Sequence, residues 1–361
     1  MLEIISHQNR EECQTFFESY FCNKNKNVLF IGTLGFNSAC LHFPKLISSI
    51  NKFLPPKYIF LNEIRPEVSP VLNQTASRNK ARLEELINHG ALSFPELQIV
   101  ADDTANVAGR NAIRILGNLM NGSSYTDVIV DATTMSRGVC FPVVKYVFEQ
   151  KKKVSSMDVH VVIAEDQGFP LNVSSMSSDS AEYMHGFQKD METDGATQSI
   201  KLWLPQLSED NLSSLRKIHS KIHAEEVAPI LPFPSSNPRR ADDLLIKFHE
   251  PIVKEWDTNL LDFIYAHESD PTDVFESIKR IEKGRTEALK SYPEHPTRMI
   301  LSPTGRKIGS LGMLFAAIDL DLPVMYTETM GYQCTAQDVP DIPISEPIKM
   351  WHNWLVEKPN A

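Results

Sequence analysis

Residues Arg298–Thr327 read RMILSPTGRKIGSLGMLFAAIDLDLPVMYT, and this stretch decides the fold class. A short apolar strand, Met299–Leu301, stops at Pro303, which lacks the N–H that a strand interior needs. Thr304-Gly305-Arg306-Lys307 then form a polar loop, a run rich in Gly, Ala and Leu has the composition of a buried helix, and Pro323–Tyr326 reads as a second strand. A strand, loop, helix and strand in that order join parallel strands, because parallel pairing needs a crossover. The first loop of such a unit lies at the carboxyl edge of the sheet, where backbone N–H groups and the helix N-terminus favour an anion. Thr304, Gly305, Arg306 and Lys307 are therefore candidate ligand-binding residues, suited to holding a phosphate rather than breaking a bond.

The same alternation runs through the rest of the chain. After a helix over Arg10–Cys22, apolar strands are expected at Asn27–Ile31, Tyr58–Ile64, Leu97–Ala101, Asp127–Asp131 and Val159–Ala164, separated by helices that include Thr75–Asn88, Asn106–Met120 and Val139–Gln150. Residues 172–197 turn to Ser, Met, Asp and Gly with little periodicity. Beyond them come Ile200–Leu204, a helix over Leu212–His223, Ala228–Leu231, a helix over Arg240–Trp256, Leu261–Tyr265, a helix over Thr272–Ser291, and then the stretch quoted above. The expected fold class is α/β, with two Rossmann-like units whose mostly parallel sheets are covered by helices. The units span 1–170 and 200–330, a flexible linker or loop covers 171–199, and 331–361, with Trp351 and Trp354, is a C-terminal extension packed across the surface.

Composition narrows the function. A chain of 361 residues exceeds the usual single core, and 42% hydrophobic with 23% charged residues is the balance of a globular protein. The formal charge of −10 argues against a broad grip on extended nucleic acid and leaves room for a local pocket for a small anion. Cys13, Cys22, Cys40, Cys140 and Cys334 are scattered, without the paired spacing of zinc sites or a disulfide framework. No secretory leader and no apolar run of about 18 residues is visible, so a cytoplasmic protein without a membrane partner is expected.

Three more constellations carry candidate chemistry. Gly32 and Thr33, in Gly32-Thr33-Leu34-Gly35, follow the first apolar strand; glycine there serves either a close ligand approach or packing, and the full GxGxxG of dinucleotide folds is missing. Asp131, Thr133, Thr134 and Arg137 follow the strand DVIVD, where hydroxyls and a guanidinium suit a phosphate and Asp131 suits a ribose hydroxyl, although Thr133, Thr134 and Ser136 also suit helix capping. In Pro232–Asp243, Arg239 and Arg240 precede a helix with Asp242 and Asp243 at its start, as phosphate contacts or as solvated charges. His219 and His223 are four apart on a helix, a spacing more common on a polar face than at a metal, and no metal site is expected. Glu63, Asp102 and Asp131 are the carboxylates placed to act as acid or base if the chain is an enzyme.

On the motif Thr304-Gly305-Arg306-Lys307, followed by an alanine-rich helix in a chain of two Rossmann-like halves, the sequence resembles the CARF and SAVED sensor domains of prokaryotic immunity. Thr304, Gly305 and Lys307 match that family's loop, Arg306 stands between them, and the loop's second glycine is absent. The resemblance implies a cytoplasmic sensor that binds a nucleotide-like ligand, such as a cyclic oligonucleotide, in an antiviral defence system, as a homo-oligomer or with other defence subunits. It names no cofactor. No nuclease, protease or membrane effector is recognisable beside it. The alternatives are an enzyme acting on a nucleotide or phosphosugar with a carboxylate acid or base, and a structural adaptor of a defence complex.

Overall fold

The computed structural model describes residues 1–22, 26–50, 55–87, 91–154, 156–165, 172–188, 199–291, 297–336 and 349–358. It divides into two compact units, Met1–Met176 with Thr329–Ala361, and Ser177–Glu328. Both are α/β, as the alternation of apolar strands and helices requires.

The first unit is built on an eight-stranded sheet. Its order is Leu2–Gln8, Lys349–Glu357, Asp158–Glu165, Asp127–Asp131, Val28–Leu34 and Lys57–Ile64, and the short strands Leu92–Ser93 and Glu96–Gln98 both pair with the last. From Asp158–Glu165 onward every pairing is parallel, whereas Lys349–Glu357 runs antiparallel to both of its neighbours. The central strands Val28–Leu34 and Asp127–Asp131 are buried along their whole length, which explains their unbroken apolar sequence.

Of the strands not expected from the sequence, two lie side by side in this sheet. Leu2–Gln8 precedes the first helix, Asn9–Tyr20, and the tail read as a surface extension contributes Lys349–Glu357 to the interior of the sheet. His352 and Asn353 are fully buried there, so the usual alternation of apolar and polar residues is hidden. Part of the stretch read as a linker is also ordered: Val173–Ser177 pairs beside Thr329–Cys334, and Glu182–Tyr183 pairs with Met325–Tyr326. Residues 189–198 of that stretch lie outside the described residues.

The second unit centres on Ile200–Pro205, flanked in parallel by Glu226–Val227 and Thr297–Ser302. A parallel pair, Ile230–Pro232 with Ile264–Ala266, continues the edge through a bridge from Gln206 to Ile230. The helix expected over Arg240–Trp256 ends at Lys247, and a wider turn, Pro251–Glu255, follows, since Pro251 cannot donate the next helical hydrogen bond. The helix Lys307–Asp319 buries every residue from Ile308 to Ala317, so it is apolar on all sides. It packs against Pro271–Leu289 through Gly312, where a Cβ would lie 2.3 Å from Pro271 O and 2.6 Å from Val274 Cβ. A backbone oxygen cannot move aside cheaply. Gly312→Ala is therefore expected to destabilise the protein by about 1–3 kcal/mol, read as a lower denaturant midpoint, despite alanine's better helix propensity.

Candidate functional site

In open α/β sheets a ligand crevice forms where the strand order reverses, outside the carboxyl ends of the strands. The first unit reverses between Val28–Leu34 and Asp127–Asp131, and the second between Ile200–Pro205 and Thr297–Ser302. The fold thus brings the Gly32–Gly35 and Asp131–Gly138 candidates to one edge, and gives the Thr304–Lys307 loop a neighbour, Gln206, that sequence reading did not single out.

The two edges repeat one another. Residues 131–140 and 301–310 share the same order of buried and half-buried positions, and in each the helix starts at the seventh residue, Arg137 or Lys307. Thr134 Oγ1 donates to Thr33 O at 3.2 Å, and its counterpart Thr304 Oγ1 donates to Gln206 O at 2.6 Å. Each hydroxyl ties its loop to the end of the adjacent strand. No sequence identity beyond the threonine signals this repeat.

Each helix start also receives an acceptor from its own unit. In the first, Ser136 N–H donates to Glu63 Oε1 at 2.9 Å, and Glu63 Oε2 pairs with Arg65 Nη2 at 2.6 Å. In the second, Gly305 N–H donates to Gln206 Oε1 at 3.2 Å and Ser310 Oγ donates to the same oxygen at 3.1 Å. A Cβ on Gly305 would lie 2.4 Å from Gln206 Cδ, and one on Gly309 2.3 Å from Gln206 Nε2. These glycines make room for a buried side-chain amide. An amide oxygen therefore occupies the place that the loop motif suggests for a phosphate oxygen.

The other first-unit candidates serve structure. Gly32 lets Phe60 pack, since a Cβ there would lie 2.9 Å from its ring. Asp131 Oδ1 accepts Thr133 N–H at 3.0 Å in a local turn, and Thr133 Oγ1 accepts Ala164 N–H at 3.0 Å. Thr33 Oγ1 lies 3.0 Å from Thr134 Oγ1. Burial lowers the pKa of Arg137. Over this edge the unit lays its own strand Thr329–Cys334, parallel to Glu67–Val68; the Arg65 guanidinium lies 5.4 Å from the Tyr332 ring and also donates to Thr329 O. Asp102 and Asp103 are exposed in a turn.

The second edge opens into a cavity instead. Gln206, Pro232, Arg240, His267, Glu268 and Arg306 are among its lining residues. Glu268 is buried, and its Oε1 meets Arg240 Nε at 2.5 Å and Arg306 Nε at 3.1 Å while Oε2 accepts from Ser235 Oγ at 2.7 Å. Arg240 Nε and Glu268 Oε1 are both buried and the contact is ionic, without a well-angled hydrogen bond. Arg240 also pairs with Glu209 at the rim, at 2.7 Å. Arg306 keeps 39% of its side chain exposed, and Lys307, half-buried, is not among the lining residues.

Gln206, His267 and Glu268 were missed because no motif marks them; their one signal is position, just past the short strands Ile200–Pro205 and Ile264–Ala266. His219 and His223 do not form a pair on one helix, since the helix ends at Ile222 and His223 is a left-handed cap with φ 49°. Among the described residues no group of three or more His, Cys, Asp or Glu is arranged to hold a metal ion, and no helix is long and apolar enough to cross a membrane. The chain matches no protein-family model and no curated protein.

The wedged amide predicts a reversal of sign. Gly309→Ala expels it and takes the Gln206 acceptor from Gly305 N–H, a loss of about 1–3 kcal/mol, while Ser310 Oγ can turn to Arg306 O at 3.0 Å. In a Gln206→Ala background the same substitution only trades glycine for alanine in a helix and is expected to gain up to about 1 kcal/mol. Denaturant unfolding of the four proteins in the cycle measures both.

Proposed function

We propose that the chain is a binding protein, a sensor in character, for a small nucleotide-like phosphorylated ligand taken up at the carboxyl edge of its second unit. The observation that carries this reading is the convergence of Arg240 and Arg306 on one buried carboxylate oxygen of Glu268 in an open cavity at a switch point. A guanidinium carries N–H donors in a planar fork that matches a phosphate, and a phosphate in this cavity would compete with Glu209, which the Arg240 fork now engages, for those donors. Ser235 and Glu268 offer the hydroxyl and carboxylate that a ribose would need.

The reading moves the phosphate contact within the loop. Thr304, Gly305 and Lys307 carry the family resemblance, but Thr304 and Gly305 are engaged by Gln206, and Arg306 is the loop residue on the cavity. Binding is favoured over catalysis by the carboxylates named from sequence, because Glu63 and Asp131 are engaged by backbone N–H groups. A place in prokaryotic antiviral defence, with cyclic oligonucleotides as the ligand class and a homo-oligomer or other defence subunits as partners, is part of the same proposal and rests on the resemblance alone.

Thermal-shift titrations with inorganic phosphate, ADP, a cyclic dinucleotide and a cyclic tetra-adenylate test it. Stabilisation that grows with concentration is expected for at least one nucleotide. Arg306→Ala and Arg240→Ala should each weaken that ligand about 10- to 100-fold, the loss of about 1.5–3 kcal/mol that accompanies a hydrogen bond to a charged group. Arg137→Ala should leave affinity unchanged. No concentration-dependent shift with any of the four compounds contradicts the reading.

A further inference from the structure

A chain of histidines crosses the first unit, away from that unit's carboxyl edge at Asp131–Gly138. His7, on Leu2–Gln8, places Nδ1 3.0 Å from Nδ1 of His352, on the neighbouring strand Lys349–Glu357. His352 Nε2 lies 2.9 Å from His160 Nδ1, and His160 Nε2 lies 3.3 Å from Asp127 Oδ1. Four adjacent strands thus contribute one member each, diagonally across one face of the sheet. His160, His352 and Asp127 are fully buried, while His7 is half-buried.

The acid at one end fixes every proton in the row. Burial alone would favour the neutral acid, but hydrogen bonds from His160, Thr126 and Lys26 outweigh it and hold Asp127 down to about 2, so it is an acceptor only. His160 must then donate through Nε2, which leaves its Nδ1 bare. His352 must donate to that atom through Nε2, leaving its own Nδ1 to accept from His7 Nδ1–H. All three rings are neutral, and His7 Nε2 is the free basic atom of the row.

A proton taken up at His7 Nε2 can pass inward with all bonds balanced. The N–H bond at His7 Nδ1 breaks as one forms at His352 Nδ1; that at His352 Nε2 breaks as one forms at His160 Nδ1. The tautomers of His7 and His352 reverse, and His160, now protonated on both nitrogens, carries the added charge beside the Asp127 carboxylate. Asp127 Oδ1 already holds Lys26 at 3.1 Å, so two cations then compete for it. The nearest other charges are Glu12 on the helix Asn9–Tyr20, and Asp158, which Lys151 pairs at 3.2 Å.

That helix rests directly on the row. Phe16 lies 4.2 Å from the His352 ring and 4.5 Å from the His7 ring, and Tyr20 Oη, with one proton to give, lies 2.9 Å from an Asp127 oxygen and 2.7 Å from an Asp158 oxygen. We propose that His7, His352, His160 and Asp127 form a proton relay that carries an external proton inward from the first strand, and so makes the docking of Leu2–Gln8 and Asn9–Tyr20 pH-dependent. Neutral rings hold the helix in place; a cation in a buried aromatic seat weakens it. Burial lowers the pKa of His160 and, more strongly, His352, whose affinity for a proton His160 and His7 lower further, so the neutral row persists at neutral pH and uptake falls below the ordinary histidine range.

Histidine nitrogen NMR and amide hydrogen exchange on the full chain, between pH 7.5 and pH 5, test the relay. At pH 7.5, His160 and His352 should carry their proton on Nε2 and His7 on Nδ1. As pH falls the three should change together with one midpoint, while the protection factor, the rate relative to intrinsic exchange at the same pH, drops at least tenfold over Leu2–Tyr20 and stays constant over Val28–Leu34. In His7→Gln, His160 and His352 should keep their tautomers across the range. Titration of His7 by itself, separate midpoints for the three rings, equal loss of protection in both segments, or a pH response unchanged in His7→Gln would each overturn the proposal. The titration of the unaltered protein decides the matter even if the variant does not fold.

Discussion

The loop that leads from a parallel strand into a helix needs acceptors for its N–H groups, and in this protein side chains of the same unit accept from one such group in each loop, Ser136 and Gly305. Gln206 is the clearer case. One buried amide oxygen accepts from Gly305 N–H and lies 3.1 Å from the Ser310 hydroxyl, and the main-chain oxygen of the same residue holds Thr304. The loop geometry, the two glycines that admit the amide, and the seating of the apolar helix Lys307–Asp319 all follow from that contact.

The repeat between the two units shows what one scaffold can become. Glu63 does for Ser136 what Gln206 does for Gly305, and Thr134 does for Thr33 what Thr304 does for Gln206. The units then part. In the first, Arg65 turns to Glu63 and the Tyr332 ring beneath a strand of the same unit, and the edge is closed. In the second, the position matching Ser136 is Arg306, which faces a cavity with Arg240 and Glu268. What distinguishes the two edges is the strand Thr329–Cys334 beside the first and the cavity beside the second.

Much of this was legible in the sequence where apolar side chains set the outcome. DVIVD is the strand Asp127–Asp131, residue for residue, and the loop at Thr304 does open a buried helix. Reading failed where polar groups find partners far along the chain. His352 and Asn353 look like surface residues, yet their hydrogen-bond partners include His160 and Val161, 192 positions away. The same limit hid the site: Thr304 could be placed at a strand end, but its bond to Gln206 spans 98 residues, and Glu268 becomes notable only when Arg240 and Arg306 converge on it. Arg306 was named for a phosphate on the loop and lines the cavity instead.

The most direct test of ligand binding at the second unit is amide hydrogen exchange with and without a saturating amount of the nucleotide that gives the largest thermal shift. Slowed exchange confined to the segments around Gln206, Ser235–Arg240, His267–Glu268 and Arg306 is the predicted result. Protection confined to Thr33–Phe36 and Asp131–Gly138, or protection that persists at the first set of segments in Arg306→Ala at the same ligand concentration, contradicts the account.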